Sequence, residues 1–64
     1  MKTENLMKAC DTCDLFVKEL RASHKDAVES DNQFAEILLL SLIEEAATLQ
    51  TKMNRIKDAA RSSK

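Results

Sequence analysis

From Leu6 onward, apolar or weakly polar residues recur at alternating steps of four and three: Leu6, Cys10, Cys13, Val17, Leu20, His24 and Ala27. That spacing holds one stripe on one side of a helix, the pattern of a heptad seam. The next position in this register is Asp31, so the stripe stops there. Ser30-Asp31-Asn32-Gln33 then reads as a capping box, in which Ser30 and Gln33 reciprocally satisfy backbone donors of a new helix. A second stripe follows with the same steps: Ala35, Leu39, Leu42, Ala46, Leu49, Met53, Ile56 and Ala60.

If the chain reverses near residues 29 to 32, the two stripes meet in layers. These are Ala27 with Ala35, His24 with Leu39, Leu20 with Leu42, Val17 with Ala46, Cys13 with Leu49, Cys10 with Met53, and Leu6 with Ile56. The pattern therefore predicts an all-α fold: an antiparallel helical hairpin with helices over residues 4–29 and 31–60, packed in the near-antiparallel manner of coiled coils and bundles. Thr3 is the expected first N-cap, with Glu4 placed to favour the positive end of the helix dipole. The turn contains no glycine, and within it Asp31 and Asn32 adopt the left-handed conformation at least cost. Two other organisations fit the same residues: a short middle helix within 22–33, started at Ser23-His24-Lys25-Asp26, and one continuous helix in an extended dimer. Residues 61 to 64 are expected to fray.

The run Ile37-Leu38-Leu39-Leu40-Ser41-Leu42-Ile43 leaves almost no side of a helix for water, yet it is far shorter than the roughly 20 apolar residues that span a bilayer. Protein must cover it. The seam uses Leu39 and Leu42, which leaves Phe34, Ile37, Leu38, Leu40 and Ile43 as a surplus, with Phe16 flanking the first stripe. Leaving several such side chains in water favours aggregation over a stable monomer. The expected answer is a homodimer closing into a two-fold four-helix bundle; a helix of a host or cognate protein is the other candidate for the same patch.

Composition supports one helical domain over residues 1–64. Gly 0 and Pro 0 remove the residues of tight turns and hairpin connections. Phe16 and Phe34 are the only aromatics, which argues against an aromatic stacking platform for single-stranded nucleic acid. A chain of 64 residues buries about 60% of its unfolded surface, so stability is marginal without a partner. The first residues, Met-Lys-Thr-Glu-Asn-Leu, hold no apolar core of a signal peptide. The expectation is a cytoplasmic protein with no membrane segment and, accordingly, free thiols.

Charge is uneven. Residues 52 to 64 carry Lys52, Arg55, Lys57, Arg61 and Lys64 against Asp58, a local charge of +4, whereas residues 15 to 51 carry −4. A hairpin makes the end with the termini basic and the turn end acidic. Cations near a helix C-terminus complement its dipole. They also offer Lys52, Arg55, Lys57 and Arg61 as candidate phosphate contacts for RNA or DNA, a reading that the acidic pI of about 5.7 weakens.

Little else carries chemistry. Cys10-Asp11-Thr12-Cys13 has the spacing of a redox or metal pair, but it falls two turns inside a helix and beside Asp11 and Asp14, whose charge opposes thiolate formation. Zinc takes four ligands, which two chains could supply only across a dimer axis. Small buried hydrophobes are the simpler account of both cysteines. His24 is one histidine on an apolar stripe, and Glu44 and Glu45 point about 100° apart on a helix, as solvated residues do. No catalytic, cofactor-binding or metal site is expected, and the chain does not read as an enzyme.

In length, absence of Pro and Gly, and paired heptads, the chain resembles the Rop-like dimeric helical-hairpin proteins, whose plasmid representative binds RNA. The resemblance implies a hairpin that dimerises and, as an alternative function, a nucleic-acid-binding regulator using the basic end. No motif is shared, so it assigns no site residue. In style the chain is similar to small accessory proteins of lambdoid phages and prophages. That likeness implies a phage or prophage setting; the expectation from the residues themselves is a regulatory protein that acts as a homodimer by protein–protein interaction, and a cysteine-based metal or redox switch stands third.

Overall fold

The computed structural model describes residues 2 to 62 and contains two helices, α1 over Glu4–Glu29 and α2 over Gln33–Ser62. The extent of α1 matches the expected one. Residues 23 to 26 lie within it, so there is no middle helix, and the break at residues 30 to 32 excludes one continuous helix. The second helix starts two residues later than expected and continues through Arg61 and Ser62, which were expected to fray. Ser62 Oγ donates to the Asp58 carbonyl at 3.0 Å. Ser63 and Lys64, the rest of that expected frayed end, lie outside the described residues.

The turn is built without glycine by placing Asp31 at φ 54°. The Asn32 amide donates to the Ala27 carbonyl at 3.0 Å and the Asp31 amide to the Val28 carbonyl at 3.1 Å. That pair of bonds is a Schellman motif, in which a left-handed residue lets the chain turn back and satisfy the last carbonyls of the helix. Aspartate tolerates this conformation better than most residues carrying a Cβ.

The expected capping box is replaced. Ser30 is the C-cap of α1, and Asn32 caps α2 instead: its Oδ1 accepts the Ala35 amide at 3.1 Å, while its carbonyl accepts the Glu36 amide at 3.0 Å. Asn32 immediately precedes the first turn of α2, which puts its side-chain oxygen within reach of the third amide of that helix. Thr3 does occupy the N-cap position of α1, but its hydroxyl makes no capping bond.

The helices run antiparallel in the expected register. Val17, Leu20 and Ala46 form the buried centre, with Leu39 and Ile43 packed against it. Cys10 Sγ donates to the Met53 carbonyl at 3.9 Å, and Gln50 Nε2 donates to Asp14 Oδ1 at 2.7 Å. Thus Val17 lies opposite Ala46 and Cys10 opposite Met53, as the layers require.

The rotation of α2 differs from the expected seam. Leu42 is 40% exposed, Leu49 56% and Ile56 48%, whereas Ile43, Gln50 and Lys57, each one residue further on, are half-buried. Leu39, Ala46, Met53 and Ala60 belong to both arrangements, so the two differ by a rotation of α2 about this shared row. Its innermost member is Ala46, only 2% exposed, whose small side chain allows close approach.

The result is one layer thick. Two helices side by side form that layer, and its Cα extents are 51 × 16 × 10 Å. Domains ordinarily bury their apolar faces between two packed layers. Here α1 and α2 supply one layer, and what it leaves uncovered is the candidate site.

Candidate interaction surface

Labelling the observed seam by heptad position puts Cys10, Val17 and His24 of α1 and Ile43, Gln50 and Lys57 of α2 at a. Leu6, Cys13, Leu20 and Ala27 take d in α1, and Leu39, Ala46, Met53 and Ala60 take d in α2. The residue before each a is a g position and the residue after each d is an e position. Because the helices run in opposite directions, the g rows of both fall on one side of the hairpin and the e rows on the other.

The g flank presents Ala9, Phe16 and Ser23 from α1 and Leu42, Leu49 and Ile56 from α2, with no charge between Ala9 and Ile56. Leu38 lies at its edge, one position further round α2. The e flank presents Asp14, Arg21, Asn54 and Arg61 among Met7, Val28, Leu40 and Ala47. The hydrogen bond between Gln50 and Asp14 lies on this polar side, which fits an a position leaning toward e.

The five residues expected as an oligomer or partner patch divide. Ile43 packs against the intrachain core. Leu38 borders the g flank. Phe34 and Ile37 stand on the outer side of the first turns of α2, 75% and 67% exposed, and Leu40 lies on the e flank. Leu42, Leu49 and Ile56 join the exposed set in place of Ile43. The signal for them was present in the width of the α2 stripe: over residues 39–59, apolar residues at d and g throughout, at a for Ile43 and at e for Leu40 and Ala47 come to about three of every seven, the width of a bundle helix rather than a two-stranded seam.

The four candidate cations gather at one end but not on one face. Lys52 and Arg55 are exposed and about 60° apart around the helix. Lys57 is half-buried at an a position facing α1, and Arg61 is exposed on the e flank. Cys10 is buried and Cys13 half-buried, both with free thiols facing α2. His24 lies on the seam, with Nε2 buried and unpartnered. Among the described residues, no three His, Cys, Asp or Glu side chains converge as a metal site, and no pocket opens. Among the described residues, too, no helix is long and apolar enough to cross a membrane.

The chain matches no protein-family model, no curated protein and no solved structure.

Proposed function

We propose that this protein is a non-enzymatic helical interaction module that works as a homodimer and modulates another protein by docking against it. One observation carries the reading. Among the described residues ten large apolar side chains are exposed, whereas the buried core comprises Cys10, Val17, Leu20, Ala27 and Ala46. A half-exposed leucine forgoes a good part of the roughly 1.5–3 kcal/mol that full burial contributes, so the isolated hairpin gains by covering this surface. A second layer of helices does that and closes a four-helix bundle.

Such a bundle covers the g flank and leaves Phe34 and Ile37 outside, on the first turns of α2. These two supply the anchor for an amphipathic helix of a host or cognate protein. A regulator in the cytoplasm of a phage-infected or prophage-bearing cell is the setting we favour. The nucleic-acid alternative is weaker, because phosphate binding is strengthened by cations sharing one face, and Lys57 and Arg61 point elsewhere than Lys52 and Arg55.

Sedimentation equilibrium at micromolar concentration tests the reading, with a dimer expected; a monomer throughout would overturn it. The modulatory role is read by affinity capture from the native host. The double variant Phe34→Ser, Ile37→Ser should lose a stoichiometric protein partner while staying dimeric, and retention of that partner would remove the proposed anchor.

A further inference from the structure

The geometry points to the occupant of the g flank and its orientation: a second copy of this chain, related by a two-fold axis perpendicular to the helices and passing beside Leu49, so that each turn end lies over the partner's terminal end. This rests on the dimeric reading above and specifies its architecture.

Surface area supports a second copy. The hairpin exposes 5156 Å², whereas a compact monomer of its 7.2 kDa exposes about 4,100 Å². The excess is close to the roughly 800 Å² per partner that a standard interface buries. A second one-layer hairpin, laid face to face, removes an excess of this size from both chains at once.

The row itself is self-complementary under that axis. Leu42, Leu49 and Ile56 are evenly spaced by seven residues, or about 10.5 Å. An axis beside Leu49 stacks Leu49 on the partner's Leu49 and Leu42 on the partner's Ile56. With Val17 opposite Ala46, Phe16 is level with Ala47, about 3 Å from the axis. Both aromatic rings therefore meet near the centre, where interface anchors concentrate.

Charge selects the orientation. Glu45 lies four residues before Leu49 and Lys52 three after it, on the same edge of the flank. The axis places Lys52 within about one residue's rise, roughly 1.5 Å, of the level of the partner's Glu45. It also sets the acidic turn end over the basic terminal end. The other two-fold arrangement, with its axis along the helices, stacks acid on acid and base on base, which like-charge repulsion disfavours.

Cysteine cross-linking tests the orientation. In a chain carrying Cys10→Ala and Cys13→Ala, Leu49→Cys should form an interchain disulfide under mild oxidation, and Asn54→Cys on the e flank should not. A dimer in which both positions link equally, or neither links, would overturn the orientation while leaving the dimeric reading intact; a wild-type monomer would overturn both. If the cysteine-free chain loses its helicity, charge exchange in the native chain gives the same decision. Lys52→Glu should weaken the dimer roughly tenfold at low salt, and adding Glu45→Lys should restore it. Failure to restore contradicts the proposed axis.

Discussion

The two flanks of the hairpin are built by the same two helices, one residue to either side of the same seam, and they differ in kind. The g flank carries Phe16, Leu42, Leu49 and Ile56 without a charge, while the e flank carries Asp14, Arg21, Asn54 and Arg61. Their difference shows what a single layer of helices can specify. One seam fixes the pairing of α1 with α2, and the composition of the flanks fixes which side remains available for a second layer.

The seam is the part most easily broken. Ala46→Glu puts an unpaired carboxylate at the most closely packed point of the hairpin and is expected to cost about 3–5 kcal/mol, enough to abolish cooperative helical melting by circular dichroism. A melting transition unchanged from the parent would mean that Ala46 is not the pivot of the pairing. Next in size is Gln50→Leu, which replaces a polar residue in the seam by an apolar one. It should raise stability by about 1 kcal/mol after loss of the exposed bond to Asp14. Destabilisation would show that α2 needs this polar position to choose between its two rows.

The turn offers smaller, opposite effects. Asn32→Ala removes the cap of α2 and should lower stability by about 1 kcal/mol in urea unfolding. Asp31→Gly relieves the left-handed conformation at some cost in unfolded-state entropy and should raise stability by about 0.5 kcal/mol. If Asn32→Ala is neutral, or Asp31→Gly destabilising, the Schellman turn is not the structure that ends α1.

The helices, the place of the reversal and the register of pairing were legible from the stripes, because Leu6 to Ala27 and Ala35 to Ala60 repeat with a fidelity that admits one antiparallel match. The capping residue was not. Ser30 and Asn32 are both good caps, and the choice depends on which of them the end of α1 consumes. The rotation of α2 was misread for a related reason. Leu42 and Ile43 are both apolar and share the row Leu39, Ala46, Met53 and Ala60, so the stripe is wider than one partner helix can cover. Taking Leu42 rather than Ile43 inward placed Leu49 and Ile56 in the seam and left Ile43 outside. The structure reverses that assignment, and in doing so extends the exposed apolar surface from the first turns of α2 along the length of one flank.

The most direct measurement sets the flanks against each other: sedimentation equilibrium of Leu49→Glu and Asn54→Glu under identical conditions. Leu49→Glu should weaken self-association by at least about a hundredfold, as burial of an unpaired charge requires, and both variants should keep their helical content. Asn54→Glu should remain dimeric like the parent. Equal weakening by both substitutions, or by neither, would contradict the claim that the g flank is the face this hairpin uses.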